Sequence, residues 1–384
     1  MRLQPFLDKK PLFYDVIDYE RMPNVYKRID QCFTLPKIIH IVGTNGKGST
    51  GRFLAQMLLT CGVRVGHYTS PHILEFRERI WLNGNDVEDV LLEQAHEKLL
   101  TLLTAHEANA LSYFEYTTLL AMLIFSKQCD YVVLEAGLGG EYDATNVFPK
   151  ILSIVTPIGY DHQAFLGDTL EAIATTKLNS VTHDCILSPQ TEACVLTLAS
   201  KHVNALKKKL MYAHDFLNDA KKAEIKAFIE AKKYPPFLEE NCITAYCALT
   251  FLGYDTKLDS LKGSFLAGRY QLFLPNVRLD VGHNPLAAKA LLKAVGEKKV
   301  ILVYNSYSDK EYGTILEILK PIIASIEVID IQSSRAVETE CLYNIAQTLG
   351  ISIKPFQSLE SDKEYLVFGS FSVVEAFVKG YRER

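Results

Sequence analysis

Four things are missing from this sequence of 384 residues. There is no charge excess: 41 Lys and Arg against 45 Asp and Glu leave a formal −4, which excludes a global attraction to nucleic acid or to an anionic membrane. There is no uncharged apolar run of the roughly 20 residues needed to span a bilayer, and the start, MRLQPFLDKK, lacks the apolar core of a signal peptide. There is no Cys-x-x-Cys pair among the eight cysteines; Cys242 and Cys247 lie in an apolar helical pattern and read as packed thiols rather than metal ligands or a disulfide. There is no internal repeat and no low-complexity linker. The expectation is a cytoplasmic protein with neither a nucleic-acid nor a membrane partner. Hydrophobic residues at 48% suffice for the cores of two or three domains.

What is present is a glycine-rich loop in a telling place. Lys37-Ile38-Ile39-His40 reads as a strand, and Phe53, Leu54, Met57, Leu58 and Cys61 fall on one face of a helix. Between them stand Gly43, Thr44, Asn45, Gly46, Lys47, Gly48, Ser49 and Thr50. A glycine turn from a buried strand into a helix N-terminus aims backbone N–H groups and the positive end of the helix dipole at an anion. Lys47 would meet the outer phosphates of a nucleotide, and a hydroxyl of Ser49 or Thr50 would hold Mg²⁺. The loop departs from the standard P-loop pattern: Ile41 stands where its first glycine would be, and Gly48 separates Lys47 from Ser49. A plain turn is the alternative, but this density of glycine, lysine and hydroxyl favours nucleotide phosphate.

Strand-like runs alternate with helical patterns along the chain, at Ile38–Val42, Tyr131–Glu135, Ile151–Thr156, Val300–Tyr304, Ile326–Ile331 and Tyr365–Phe368. Such alternation predicts an α/β fold with mostly parallel sheets covered by helices. The Lys- and Ala-rich stretch Asn204–Tyr234 reads as a solvated helical face. The pattern breaks between Gly268 and Asn276, which divides the chain into domains 1–268 and 269–384.

Candidate chemistry lies where strands end. Glu135 closes an apolar run and precedes Ala136-Gly137-Leu138-Gly139-Gly140; a carboxylate at the carboxyl end of a buried strand lies where α/β sheets bind ligands and suits Mg²⁺, which prefers oxygen donors. Asp161-His162 follows a second strand, although a lone Asp-His pair is commonly a turn residue beside a satisfied histidine. Asp280-Val281-Gly282-His283-Asn284-Pro285 reads equally as a functional loop or as a helix cap. Ser70-Pro71-His72 and Phe76-Arg77-Glu78-Arg79-Ile80 form a polar loop without a regular period.

Taken together, these pieces resemble the folylpolyglutamate synthase/dihydrofolate synthase family, within the wider group of ATP-dependent amide ligases that includes the muramyl-peptide ligases. The matching segments are GTNGKGST (Gly43–Thr50), YTSPH through FRERI to NG (Tyr68–Gly84), YFEYTT (Tyr113–Thr118) and EAGLGGEYDATN (Glu135–Asn146). They continue with GYDHQAFLGDTLEAIA (Gly159–Ala174), AGRYQ (Ala267–Gln271), DVGHNP (Asp280–Pro285), SDKEY (Ser308–Tyr312), SSRAV (Ser333–Val337) and FGSF (Phe368–Phe371), in the family's order.

The resemblance implies a P-loop-type N-terminal domain, binding ATP and the pterin-bearing substrate, and a smaller Rossmann-like C-terminal domain that helps bind the amino acid. It implies amide formation between a carboxylate and L-glutamate, on dihydropteroate and on reduced folates, through an acyl phosphate, by a cytoplasmic monomer. Lys47, His162, Lys177 and His283 would be catalytic. Ser70, Glu135 and His162, with Ser49, would hold magnesium, two ions in all. Lys177 would be carbamylated to support the second ion; relatives read Lys-Ala-Gly-Ile there, whereas this chain reads Lys177-Leu178-Asn179-Ser180. Asn241, Arg269, Asp280 and His283 would contact ATP, although Phe237-Leu238-Glu239-Glu240 offers neither the His nor the Gln that the family carries just before that Asn. Arg79, Phe114, Asp143 and Ala144 would meet the pterin substrate, Phe114 by stacking, and His283 and Ser370 would lie near glutamate. The alternatives are a single-activity member of the family, a muramyl-peptide-type ligase, and a nucleotide-binding switch without ligase chemistry.

Overall fold

The apolar runs pair into two mostly parallel sheets, each in its own compact unit. A computed structural model describes residues 2–10, 18–261 and 266–383. The first unit runs to Ile158 and includes His162–Ile225 and the stretch from Glu240; the second gathers Gly159–Asp161, Lys226–Glu239 and the C-terminal part of the chain.

The first sheet contains β1 (Lys37–Val42), β2 (Val65–Tyr68), β3 (Ile80–Leu82), β4 (Asn85–Asp86), β5 (Tyr131–Glu135), β6 (Leu152–Val155), β7 (Cys185–Leu187) and β8 (Leu210–Tyr212), in the order β4-β3-β2-β5-β1-β6-β7-β8. All neighbours are parallel except β2–β3 and β3–β4. The central strands are buried apart from Lys37 at the start of β1, as parallel strands covered by helices on both faces must be. The helices Lys47–Thr60 and Tyr113–Gln128 are themselves buried nearly all round and pack on this sheet.

The second sheet contains β9 (Gln271–Leu274), β10 (Val277–Asp280), β11 (Val300–Tyr304), β12 (Ile323–Val328), β13 (Ile353–Pro355) and β14 (Tyr365–Phe368), in the order β13-β12-β11-β14-β10-β9. Only β9–β10 is antiparallel. Its core includes Leu302, Tyr304, Ile315, Leu316, Ile326 and Phe368.

Two local expectations need correction. The strand read at Ile326–Ile331 is β12, Ile323–Val328, which begins directly after the short helical turn Lys320–Ile322; Ser325 and the buried Glu327 interrupt its apolar run and hide its start. The stretch Asn204–Tyr234 is not helical throughout. It contains β8, whose Leu210–Tyr212 pairs with Cys185–Leu187 on the sheet edge, before the helix Asp219–Ala231. Cys242 and Cys247 are buried on the helix Phe237–Phe251, and neither is in a disulfide. No helix among the described residues is long and apolar enough to cross a membrane.

Candidate active site

Strand register brings the candidate groups of the first unit to one edge. Ile41 of β1 lies beside Glu135 of β5 and Ile154 of β6, and Val42 beside Val155. Gly43 therefore begins its turn between two strand ends. Its φ is +148°, and a Cβ there would stand 2.0 Å from Thr156 Oγ1, so only glycine lets the backbone pass. Thr44 and Asn45 donate their backbone N–H groups to the Pro157 carbonyl, at 2.9 and 3.2 Å, which fixes the loop. Gly46, at φ +85°, caps the helix Lys47–Thr60 in the left-handed region. A Cβ there would lie 2.6 Å from Asn241 Oδ1, which also accepts from Thr50 Oγ1 at 3.4 Å. Gly48, Ser49 and Thr50 form the buried first turn behind Lys47.

Two ammonium groups converge on this loop. Lys47 Nζ donates to the carbonyls of Gly43 (3.1 Å) and Thr44 (3.2 Å), and the buried Lys177 Nζ, from the helix Leu170–Leu178, donates to the same Gly43 oxygen at 3.0 Å. A polyanion brought here would meet both charges together with the helix N-terminus.

Glu135 is 5% exposed and accepts from the Thr69 hydroxyl. That contact follows from the pairing of Tyr68 with Leu134, so Ser70 leaves the sheet next to the carboxylate, through a cis peptide bond to Pro71. His162 sits at φ +53°, immediately before the short helix Gln163–Leu166. A hydroxyl, a carboxylate and an imidazole are a donor set that magnesium accepts, chiefly through oxygen.

The pterin candidates gather around the loop after β5. The Phe114 ring crowds Gly137, 2.7 Å from where a Cβ would be, and stacks on Tyr68 at 5.8 Å. Asp143, which precedes the turn Ala144–Val147, accepts from Leu138 N (2.8 Å), Thr145 N (2.9 Å) and Thr145 Oγ1 (2.5 Å). Burial pushes the Asp143 carboxyl upward, against those hydrogen bonds. Ala144 is buried beside it. Arg79 lies over the Tyr113 ring at 5.1 Å and donates to His72 at 2.8 Å, one residue along the helix from Phe114.

In the second unit, Asp280 pairs in register with Phe368, so Asp280 and Ser370 leave adjacent strand ends. Asp280 accepts from Tyr270 N (2.9 Å) and Gly282 N (2.8 Å), and burial raises its carboxyl pKa. Arg269 lies 5.3 Å over the Phe371 ring. Ser370 caps the helix Phe371–Arg382, and the His283 ring is held to the Val281 carbonyl at 3.1 Å through Nδ1.

No family model matches the chain. A dihydrofolate synthase/folylpolyglutamate synthase of Haemophilus influenzae is 31% identical, the match covering 93% of this chain and 92% of that protein. The Escherichia coli enzyme of the same name is 30% identical over 84% and 80%. The chain belongs to the dihydrofolate synthase/folylpolyglutamate synthase family. The crystal structure of Helicobacter pylori folylpolyglutamate synthetase superposes with a TM-score of 0.81 at 42% identity, covering 99% and 98% of the two chains. Escherichia coli FolC in complex with DHPP and ADP gives 0.82 at 26% identity, covering 99% and 97%. As a member of this family the protein is an ATP-dependent ligase with the family's α/β fold.

Sequence reasoning missed several polar partners in this family member. Thr69, which holds Glu135, was hidden because only strand pairing makes the two neighbours. Lys310 and Arg335 lie in segments already noted as motifs, yet Lys310 bonds Asp161, 149 positions away, and Arg335 bonds Asp309. Spacing along the chain carries no signal for either pair.

Proposed function

We propose that this enzyme adds L-glutamate both to dihydropteroate and to reduced folates, using one ATP-binding loop for both. The observation that carries this reading is the convergence of Lys47 and Lys177 on the Gly43 carbonyl, beside Glu135 and the Phe114–Asp143 loop. A carboxylate is a poor electrophile. Transfer of the γ-phosphoryl group onto it creates an acyl phosphate, which the glutamate amine attacks with loss of phosphate. Lys47, the N–H groups of Gly46 and Gly48, and the helix start would offset the charge that builds on the phosphoryl oxygens. Ser49 or Thr50, with Ser70, Glu135 and His162, would hold magnesium; when bound, it neutralises phosphate charge. Carbamylation of Lys177 would turn its ammonium into a carboxylate able to support a second ion, which intact-mass measurement in bicarbonate would reveal.

Phe114 would stack on the pterin while Asp143, Ala144 and Arg79 fix its edge and arm. Asn241, Arg269 and Asp280 would bind the nucleoside part, and His283 and Ser370 the incoming glutamate. In this reading residues 1–268 take ATP and pterin, residues 269–384 complete the ligase, and the protein works as a cytoplasmic monomer, which sedimentation would test. The deciding experiment is ADP release with ATP, Mg²⁺ and glutamate, run in parallel on dihydropteroate and tetrahydrofolate. Turnover of both supports the proposal; turnover of one makes the enzyme single-activity; turnover of neither refutes it.

A further inference from the structure

Within the second unit, Lys310 and Asn284, bordered by the His283 ring, form a carboxylate cradle, and a carboxylate of the chain itself lies in it. Lys310 Nζ donates to Asp161 Oδ1 at 2.5 Å, and Asn284 Nδ2 donates to Oδ2 at 3.2 Å. His283 Nε2 stands 3.5 Å from the same Oδ2. The Lys310 and Asp161 side chains are only 6% and 7% exposed. The donors are fixed from behind. Asn284 Oδ1 accepts from Ala287 N at 2.9 Å, capping the helix Pro285–Val295, so its NH₂ must face the carboxylate, and the helix start adds its positive end. Lys310 follows Asp309, which Arg335 holds at 2.7 Å, and Ser308 N donates to the Arg335 carbonyl at 2.9 Å.

We propose that this cradle takes a carboxylate of L-glutamate, and that Asp161 fills it until glutamate displaces it. The inference rests on the reading above that the C-terminal unit receives glutamate. Two preset donors, Lys310 Nζ and Asn284 Nδ2, one on each oxygen, suit any carboxylate, while the His283 imidazole, whose Nδ1–H is committed to the Val281 carbonyl, borders them; a buried ion pair is itself weak evidence for a role in stability. An empty cradle would leave the buried Lys310 ammonium to the more distant, more exposed Asp309 carboxylate at 3.9 Å, which is costly. Asp161 removes that cost in the absence of substrate, and it lowers the apparent glutamate affinity by the fraction of time it occupies the site.

The test is the glutamate KM, set against kcat, for wild type, Asp161→Asn, Asp161→Ser and Lys310→Met, together with glutamate-induced thermal stabilisation in ADP. Removing the competing carboxylate is expected to lower the glutamate KM about tenfold, and Lys310→Met to raise it at least about tenfold. An unchanged or higher KM in the folded Asp161 variants would show that Asp161 organises the site rather than standing in for substrate. In wild type, the ¹³C signal of the Asp161 carboxylate must shift on glutamate saturation; a fixed signal overturns the proposal whether or not the variants fold. Wild-type protein that ignores glutamate altogether refutes the functional reading itself.

Discussion

At the scale of single residues, Lys47 and Gly43 separate chemistry from architecture. Lys47 Nζ bonds the loop carbonyls Gly43 O and Thr44 O from a partly buried position, so its loss removes little packing. Lys47→Ala is expected to cut kcat/KM by at least about 10²-fold, the scale of losing one preorganised charge-stabilising group, while the unfolding midpoint stays near that of wild type. Coupled ADP-release kinetics beside a thermal melt check both halves; normal turnover would remove Lys47 from the site. Gly43→Ala should do the opposite. Its Cβ would meet Thr156 Oγ1 at 2.0 Å and the Thr156 carbonyl at 2.9 Å, backbone as well as side chain, at a φ that L residues rarely adopt. A destabilisation of at least about 2 kcal/mol is expected from clash and strain together, with loss of nucleotide binding, measurable by denaturant unfolding and by ADP titration.

At the scale of elements, the helix Tyr113–Gln128 shows what could be read in the sequence and what could not. Its start carries a capping box: Ser112 Oγ accepts from Glu115 N at 3.0 Å, and Glu115 Oε2 accepts from Ser112 N at 2.6 Å and from Arg21 Nε at 2.8 Å. Ser112→Ala should cost about 1 kcal/mol and, by loosening the turn that carries Phe114, raise the dihydropteroate KM more than the ATP KM. Equal changes in the two would sever the cap from the pterin site. β11 and β14 were legible because each is an unbroken apolar run buried on both faces, and β1 and β5 because Ile38-Ile39, Ile41-Val42 and Tyr131–Leu134 keep the run recognisable despite His40 and Glu135. β2 was not: it reads Val65-Gly66-His67-Tyr68, with a glycine crowded by the Phe125 ring and a fully buried histidine, so apolar periodicity fails there although every residue is inside. The phosphate loop was visible because its chemistry is contiguous, from Gly43 to Thr50. The supports of the site, Thr69 on Glu135 and Lys177 on Gly43, were not legible as contacts, because they arise from strand pairing and helix placement across many tens of residues.

At the scale of the whole molecule, buried histidines tie the first sheet to pH. His40 sits at the centre of β1 with no solvent exposure; its Nε2 contacts Thr145 Oγ1 at 2.8 Å, and that hydroxyl in turn donates to Asp143. With the hydroxyl hydrogen committed to Asp143, His40 Nε2 must be the donor, and Nδ1 is left without a partner. Burial, with Lys150 nearby, holds the His40 pKa well below the ordinary 6.5; burial, with Arg52, does the same for His67. The unfolded chain takes up these protons near pH 6.5, while the folded chain takes them up only at much lower pH. As pH drops through about 6.5 the unfolded state increasingly binds more protons than the folded one, and stability falls; above about 6.5 the contribution of the two histidines fades within about one pH unit. Each group can steepen the acid limb by up to about 1.4 kcal/mol per pH unit. The unfolding midpoint is expected to be nearly flat from pH 7 to 7.5 and to drop progressively toward pH 5. His40→Gln, whose amide NH₂ can replace the donor to Thr145 but cannot be charged, should flatten that limb by one proton's worth while leaving stability at pH 7.5 within about 1.5 kcal/mol. Thermal melts of both proteins across this range decide it: parallel acid limbs would mean that His40 titrates alike in the two states and that other groups set the acid sensitivity of this sheet.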